Sequence, residues 1–253
     1  MTLFWIIGTC LAGGFLSLLF AFLFFKNSNI HIVTNMVSLS VGTMLGAVFL
    51  EILPHALEQA TDSHDTMFIV LIGLLVFFTL EKLLIWRHCH GDHCETHSHD
   101  AQLKPNKSGS LLLIGDLSHN FIDGILIASA FIYEFQLGLV TALAIYAHQI
   151  PQEMGNISIF VHKGLKKGKA ILLNVVANIS MTLGAVITYI LIDSAGDILP
   201  VLLAFTASNL IYVAVSDLIP GLHKKTELRE SAMQISMILV GVIIVYIFHL
   251  FLH

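Results

Sequence analysis

The chain has 253 residues, of which 56% are hydrophobic and only 11% charged, with a net charge of −5 and a mean hydropathy of +0.85. That leaves too little polar surface to cover a water-soluble globule of this size, and no basic excess that would point to a nucleic-acid partner. Apolar stretches near the roughly 20 residues needed to cross a bilayer recur along the whole length, and nothing alternates in the short segments of a β-barrel.

The pattern predicts eight membrane-spanning helices. The first, 2–25, is uncharged, holds Cys10 and lacks a basic leading region, so it reads as a retained span rather than a cleaved signal sequence. The second, 32–57, contains Glu51-Ile52-Leu53-Pro54-His55, with Glu51 and His55 one turn apart as candidate accessory ligands or proton carriers on a pathway. The third, 66–86, runs into a connection at 87–109 that holds His88, Cys89, His90, His93, Cys94, His97 and His99. That composition predicts a metal-binding tract, and its spacing does not match a closed structural zinc site. A mobile loop that collects or senses emerging metal is expected there, and Cys89 and Cys94 do not form a disulfide framework.

The fourth and fifth spans, 110–133 and 136–162, carry most of the intramembrane polar groups. An ionisable residue at a span centre costs about 2.5–3.5 kcal/mol on insertion scales, so each cluster marks a functional site. Asp116, His119, Asn120 and Asp123 stand at i, i+3, i+4 and i+7, one stripe of a helix. The fifth span reads His148-Gln149-Ile150-Pro151-Gln152-Glu153-Met154-Gly155-Asn156, in which His148 with Gln152, and Gln149 with Glu153, form i,i+4 pairs. Two facing helices that each offer such a pair can supply imidazole nitrogen and carboxylate oxygen to one dication, here His119 and Asp123 with His148 and Gln152 or Glu153. Pro151 is expected to free the Ala147 carbonyl toward a cavity, as in the broken helices of transporters. The absence of sulfur disfavours Cu(I) and leaves Zn²⁺, Fe²⁺, Mn²⁺ or Co²⁺ open.

The sixth span is 170–192, and the seventh, 197–220, ends in Asp217-Leu218-Ile219-Pro220. Acid-x-x-Pro thus recurs in spans two and seven, which predicts inverted repeats with Asp217, like Glu51, beside the pathway. The eighth span is 231–252. All 12 Lys and Arg fall in or beside alternate connections, while Glu58, Asp62, Asp65, Glu134, Asp193 and Asp197 occupy the others. Basic residues collect on the cytoplasmic side, so both termini are expected outside and the His-rich loop inside. The acidic rim would concentrate cations at the entrance.

The pair of motifs His-Asn-x-x-Asp-Gly and His-x-x-Pro-Gln-Glu-x-Gly resembles the signature of ZIP metal transporters, in the branch written HNxxDG and HExPxExGD. The resemblance covers nearly the whole chain and implies an all-α integral membrane protein, a single transporter domain over 1–253, with eight helices arranged three, two, three. It further implies a zinc importer with iron, manganese or cadmium as alternative cargo, a homodimeric assembly, and metal bound between spans four and five. Carried over by position, the inner metal site uses His119, Asp123, His148 and Gln152, and a second position uses Asn120, Asp123, Gln149 and Gln152. Where the family has Glu and then Asp, this chain has Gln149 and Asn156. Asp123 and Glu153 then balance one dication, so one tightly held metal and a weak or vacant second position are expected. The rival classes are an intramembrane metallohydrolase with Glu153 as base, which lacks a separate nucleophile, and a cation efflux carrier, which resembles six spans plus a soluble domain. No enzymatic activity is expected.

Overall fold

The computed structural model describes residues 1–25, 30–58, 60, 62–86, 107–162, 164–192, 198–223 and 227–252. The His-rich tract with His88, Cys89, His90, His93, Cys94, His97 and His99 lies outside them, as do Asp193 and Asp197. Among the described residues there is no strand. The helices are α1 (Thr2–Phe25), α2 (Ile30–Ala47), α3 (Leu53–Glu58), α4 (Ser63–Trp86), α5 (Lys107–Tyr133), α6 (Phe135–His162), α7 (Lys167–Ile192), α8 (Leu199–Tyr212), α9 (Ile219–Leu222) and α10 (Leu228–Leu252).

Two of the rods contain a π-helical turn. Val48–Ile52 joins α2 to α3, and Val213–Leu218 joins α8 to α9. In each, the residue just before a proline donates its N–H five residues back, Leu53 to Val48 and Ile219 to Ala214. Pro54 and Pro220 cannot donate, and their rings crowd the carbonyl four residues earlier, so widening the preceding turn relieves the clash. Glu51 and Asp217 sit inside these widened turns, so the recurrent acid-x-x-Pro is also a recurrent backbone shape.

Among the described residues, six helices or rods are long and apolar enough to cross a membrane by length and composition. The two long helices outside that set, α5 and α6, have 27 and 28 residues and carry the polar clusters. Six of the helices start one to three residues before the apolar runs, where a first turn accommodates residues outside the run, while α8 starts at Leu199, two residues inside the run 197–220. At α4, for instance, the Asp62 carboxylate accepts the His64 N–H at 2.8 Å.

Lipid hydrocarbon is as apolar as leucine, so these helices associate through close packing. α1, α5, α6 and α7 pack on one another; α2 packs on α10, and α4 on α8. The two sets meet mainly where α2 crosses α6 and α5 crosses α8. Two contacts are reciprocal glycine seams. A Cβ on Gly124 would lie 1.9 Å from the Met181 carbonyl oxygen, and one on Gly184 would lie 2.2 Å from that of Phe121. Between α2 and α10, Gly42 and Gly241 do the same against the carbonyls of Ile238 and Leu39, at 2.0 and 2.5 Å. Outside these contacts large apolar side chains point away from the bundle, including Leu183, Leu191, Ile235, Leu239 and Ile243.

Candidate metal centre

α5 turns its polar stripe toward α6, and three side chains converge. The Nε2 atoms of His119 and His148 are 3.2 Å apart, and each faces Oδ2 of Asp123, at 3.4 and 3.6 Å. Ligands at 2.0–2.1 Å on a tetrahedral Zn²⁺ lie about 3.3–3.4 Å from one another, so the triangle has the edge lengths of one coordination face. His148 Nδ1 lies 3.3 Å from the Ala144 carbonyl. An Nδ1–H donated there leaves the Nε2 lone pair for a metal. Among the described residues this is the group of three or more His, Cys, Asp or Glu side chains able to share an ion.

Asp123 is fully buried, and neither of its carboxylate oxygens accepts a hydrogen bond from the described residues. A carboxylate in that state carries a large desolvation cost, which a dication at the triangle offsets. His119 is 23% exposed at its side chain, so the triangle has one accessible edge.

The other predicted ligands are turned elsewhere. Gln152 donates its amide to Asp116 Oδ1 at 3.2 Å, and Asn120 donates to the same oxygen at 3.2 Å and to the Asp116 carbonyl at 2.9 Å. Gln149 donates to Asn120 Oδ1 at 2.9 Å and to Asn178 Oδ1 at 2.6 Å. Glu153 points away from the triangle, its Oε1 accepting from Ser17 at 2.9 Å and Asn178 at 2.7 Å. The structure therefore places an amide-rich network directly behind a three-ligand face.

Ser17 and Asn178 are the members that sequence reasoning missed. The available signal was Asn174 and Asn178 at i,i+4 in an otherwise apolar span, where each amide needs a partner. Pro151 behaves differently from expectation: the carbonyl it frees, on Ala147, accepts a hydrogen bond from the Ser40 hydroxyl of α2. A side chain of the other helix set thus satisfies that oxygen.

Of the accessory residues, Glu51 is buried and accepts from His249, while His55 lies between Glu51 and Glu134. Asp217 is exposed, within electrostatic reach of His119 and His148 and of Glu81, whose carboxylate accepts from the Tyr212 hydroxyl.

The family model described as ZIP Zinc transporter matches residues 2–108 and 87–249 of the chain. The chain is similar to the zinc transporter YKE4 of Saccharomyces cerevisiae, with 30% identity over 81% of this chain and 68% of that protein. It is also similar to the zinc transporter ZIP13 of Pongo abelii, 26% identical over 85% of this chain and 66% of that protein. With the zinc transporter ZIP4 of Homo sapiens it shares 25% identity over 79% of this chain and 40% of that protein.

Proposed function

The chain belongs to the ZIP zinc transporter family, a multi-pass membrane family of divalent-metal transporters rather than enzymes, and from that premise we propose that it moves Zn²⁺ into the cytoplasm through the His119–Asp123–His148 triangle. The observation that carries this reading is the triangle itself, three donors 3.2–3.6 Å apart around a carboxylate with no hydrogen bond from the described residues. Metal enters from the acidic face, sheds water, binds the triangle and leaves after the helices reorient toward the lysine-rich face. Orientation follows from the placement of the Lys and Arg residues. The His-rich connection then meets the emerging ion, and the assembly expected from the family is a homodimer.

Zn²⁺ is the preferred cargo because imidazole and carboxylate at tetrahedral spacing suit it, with Fe²⁺, Mn²⁺ and Cd²⁺ as competitors. Uptake of Zn²⁺ into proteoliposomes tests the site. His119→Ala and His148→Ala are each expected to lower it at least about tenfold. Unaltered uptake in both variants would overturn the assignment, and competition by the other ions ranks the cargo.

The amide network bears on stoichiometry. Gln149, Gln152, Asn120 and Asn178 are neutral, and the Asp116 and Glu153 carboxylates among them already accept their amide N–H groups, so a second dication there would have to break that network to gain compensating charge. One strongly held metal is expected, checked by anomalous scattering from zinc-loaded crystals; two positions at full occupancy would contradict it.

A further inference from the structure

A second set of metal-capable side chains lies at the end of the bundle remote from the lysine-rich connections. It comes from four elements: Glu51 in the first π turn, His55 on α3, Glu134 between α5 and α6, and His249 near the end of α10. Imidazole and carboxylate alternate. His55 Nε2 faces Glu134 Oε2 at 3.4 Å, His55 Nδ1 is 4.0 Å from Glu51 Oε2, and His249 Nδ1 is 2.8 Å from Glu51 Oε1. Exposure falls inward along the series, from 34% at Glu134 and 37% at His249, through 14% at His55, to 1% at Glu51.

We propose that Glu134, His55, Glu51 and His249 form an entry ladder on which a partly hydrated divalent cation is chelated by successive carboxylate–imidazole pairs before it reaches the central triangle. This rests on the transport reading above and adds a separate binding station to it.

The geometry fits pairwise rather than convergent binding. Two donors bound to one ion at about 2.0–2.2 Å can be no further apart than about 4.4 Å, and all three separations lie inside that limit. His55 and His249 approach Glu51 from different sides, so no three of the four groups close on one ion as the central triangle does. His55 Nε2 with Glu134 and His249 Nδ1 with Glu51 each supply two protein donors and leave water in the remaining positions, while the Glu51 carboxylate beside His55 links the two pairs. Such binding is weak, as a way station requires: favourable enough to admit the ion and loose enough to pass it on.

Aromatic neighbours hold the imidazoles in place. Tyr133 meets His55 edge-on at 5.6 Å between ring centroids, and Tyr246 stacks on His249 at 6.3 Å. The His55 ring also lies 2.7 Å from the Glu51 carbonyl through Nδ1, so an Nδ1–H bonded there turns the Nε2 lone pair toward Glu134. Without a cation, Glu51 Oε1 is hydrogen-bonded to His249 Nδ1 at 2.8 Å. Binding an ion there displaces the proton between them, so the resting hydrogen bond keeps that pair aligned.

Protection of a thiol at position 249 tests the ladder in the full-length protein. His249→Cys keeps a metal donor there and is introduced with Cys89→Ser and Cys94→Ser, then labelled from outside with a membrane-impermeant thiol reagent. Zn²⁺ is expected to slow labelling about tenfold when present at about ten times its dissociation constant. Protection should disappear with Glu51→Gln and persist with His148→Ala, which removes the central triangle. Loss of transport in His148→Ala without loss of protection therefore separates the two sites. If Glu51→Gln does not accumulate, Glu51→Asp, which withdraws the carboxylate by one methylene, serves the same comparison and should weaken protection. The proposal is overturned if Zn²⁺ at transport-saturating concentration gives no protection, or if protection is unchanged when the Glu51 carboxylate is removed or withdrawn.

Discussion

Asp123 concentrates the energetic tension of the molecule in one side chain. It is fully buried, faces two imidazoles and receives no hydrogen bond from the described residues, so in metal-free protein it is a cost that only a cation repays. Asp123→Asn removes the charge at nearly constant volume. The metal-free variant should melt at a higher temperature than the parent, while the stabilisation by added Zn²⁺ is lost, both read from thermal unfolding in detergent. A lower melting temperature without metal would mean the carboxylate is satisfied in some other way. The stripe containing Asp123 was legible in the sequence because i, i+3, i+4, i+7 spacing gathers donors on one face. The orientation of Gln149, Gln152 and Glu153 was not. An amide or carboxylate on that face can turn to either neighbour, and Asn178 on the next helix and Ser17 on the first decide which for Gln149 and Glu153.

Among the elements, the glycine seams set how closely helices approach. Gly124 and Gly184 let α5 and α7 touch backbone to backbone, while Ser180 on α7 donates to the Leu117 carbonyl at 2.8 Å just beyond. Gly124→Leu forces a side chain into the Met181 carbonyl, so it should part the helix carrying His119 and Asp123 from its support and sharply lower the yield of folded protein in size-exclusion chromatography. Gly8→Ala, which meets nothing within 4 Å, is the matched control and should be neutral. Helix positions were legible to within three residues, since length and hydropathy determine them once the solvent is lipid. The widened turns were not legible, because the only mark of an i+5 hydrogen bond in the residues is a following proline, which elsewhere merely kinks or ends a helix.

At the scale of the whole molecule, the set of packed helix pairs maps onto itself when α1 is exchanged with α7, α2 with α8, α4 with α10 and α5 with α6, although α5 on α7 and α2 on α10 pack more extensively than their counterparts. The contact of α2 with α10 becomes that of α8 with α4, and α5 with α7 becomes α6 with α1. Such self-mapping is what an inverted repeat produces, and with the matching π turns it supports the three-two-three reading of the sequence. Sidedness is testable on exposed positions at opposite ends: Ser63→Cys should react with an impermeant thiol reagent only from outside, and Lys166→Cys only from the cytoplasm. The reverse pattern would turn the proposed importer the other way round.

The widened turn before Pro54 also makes one place in the rod tolerant of a kind of lesion that substitution scanning never samples. A π turn holds one residue more than an α turn. Loss of a single codon at Phe49 would let that turn close to ordinary helical pitch, with both flanks of the rod facing nearly as before. The same loss in regular helix would swing one flank against the other by about 100°. A frame-preserving deletion at Phe49 should therefore leave Glu51 beside His249, where one in an unbroken helix would part such a pair.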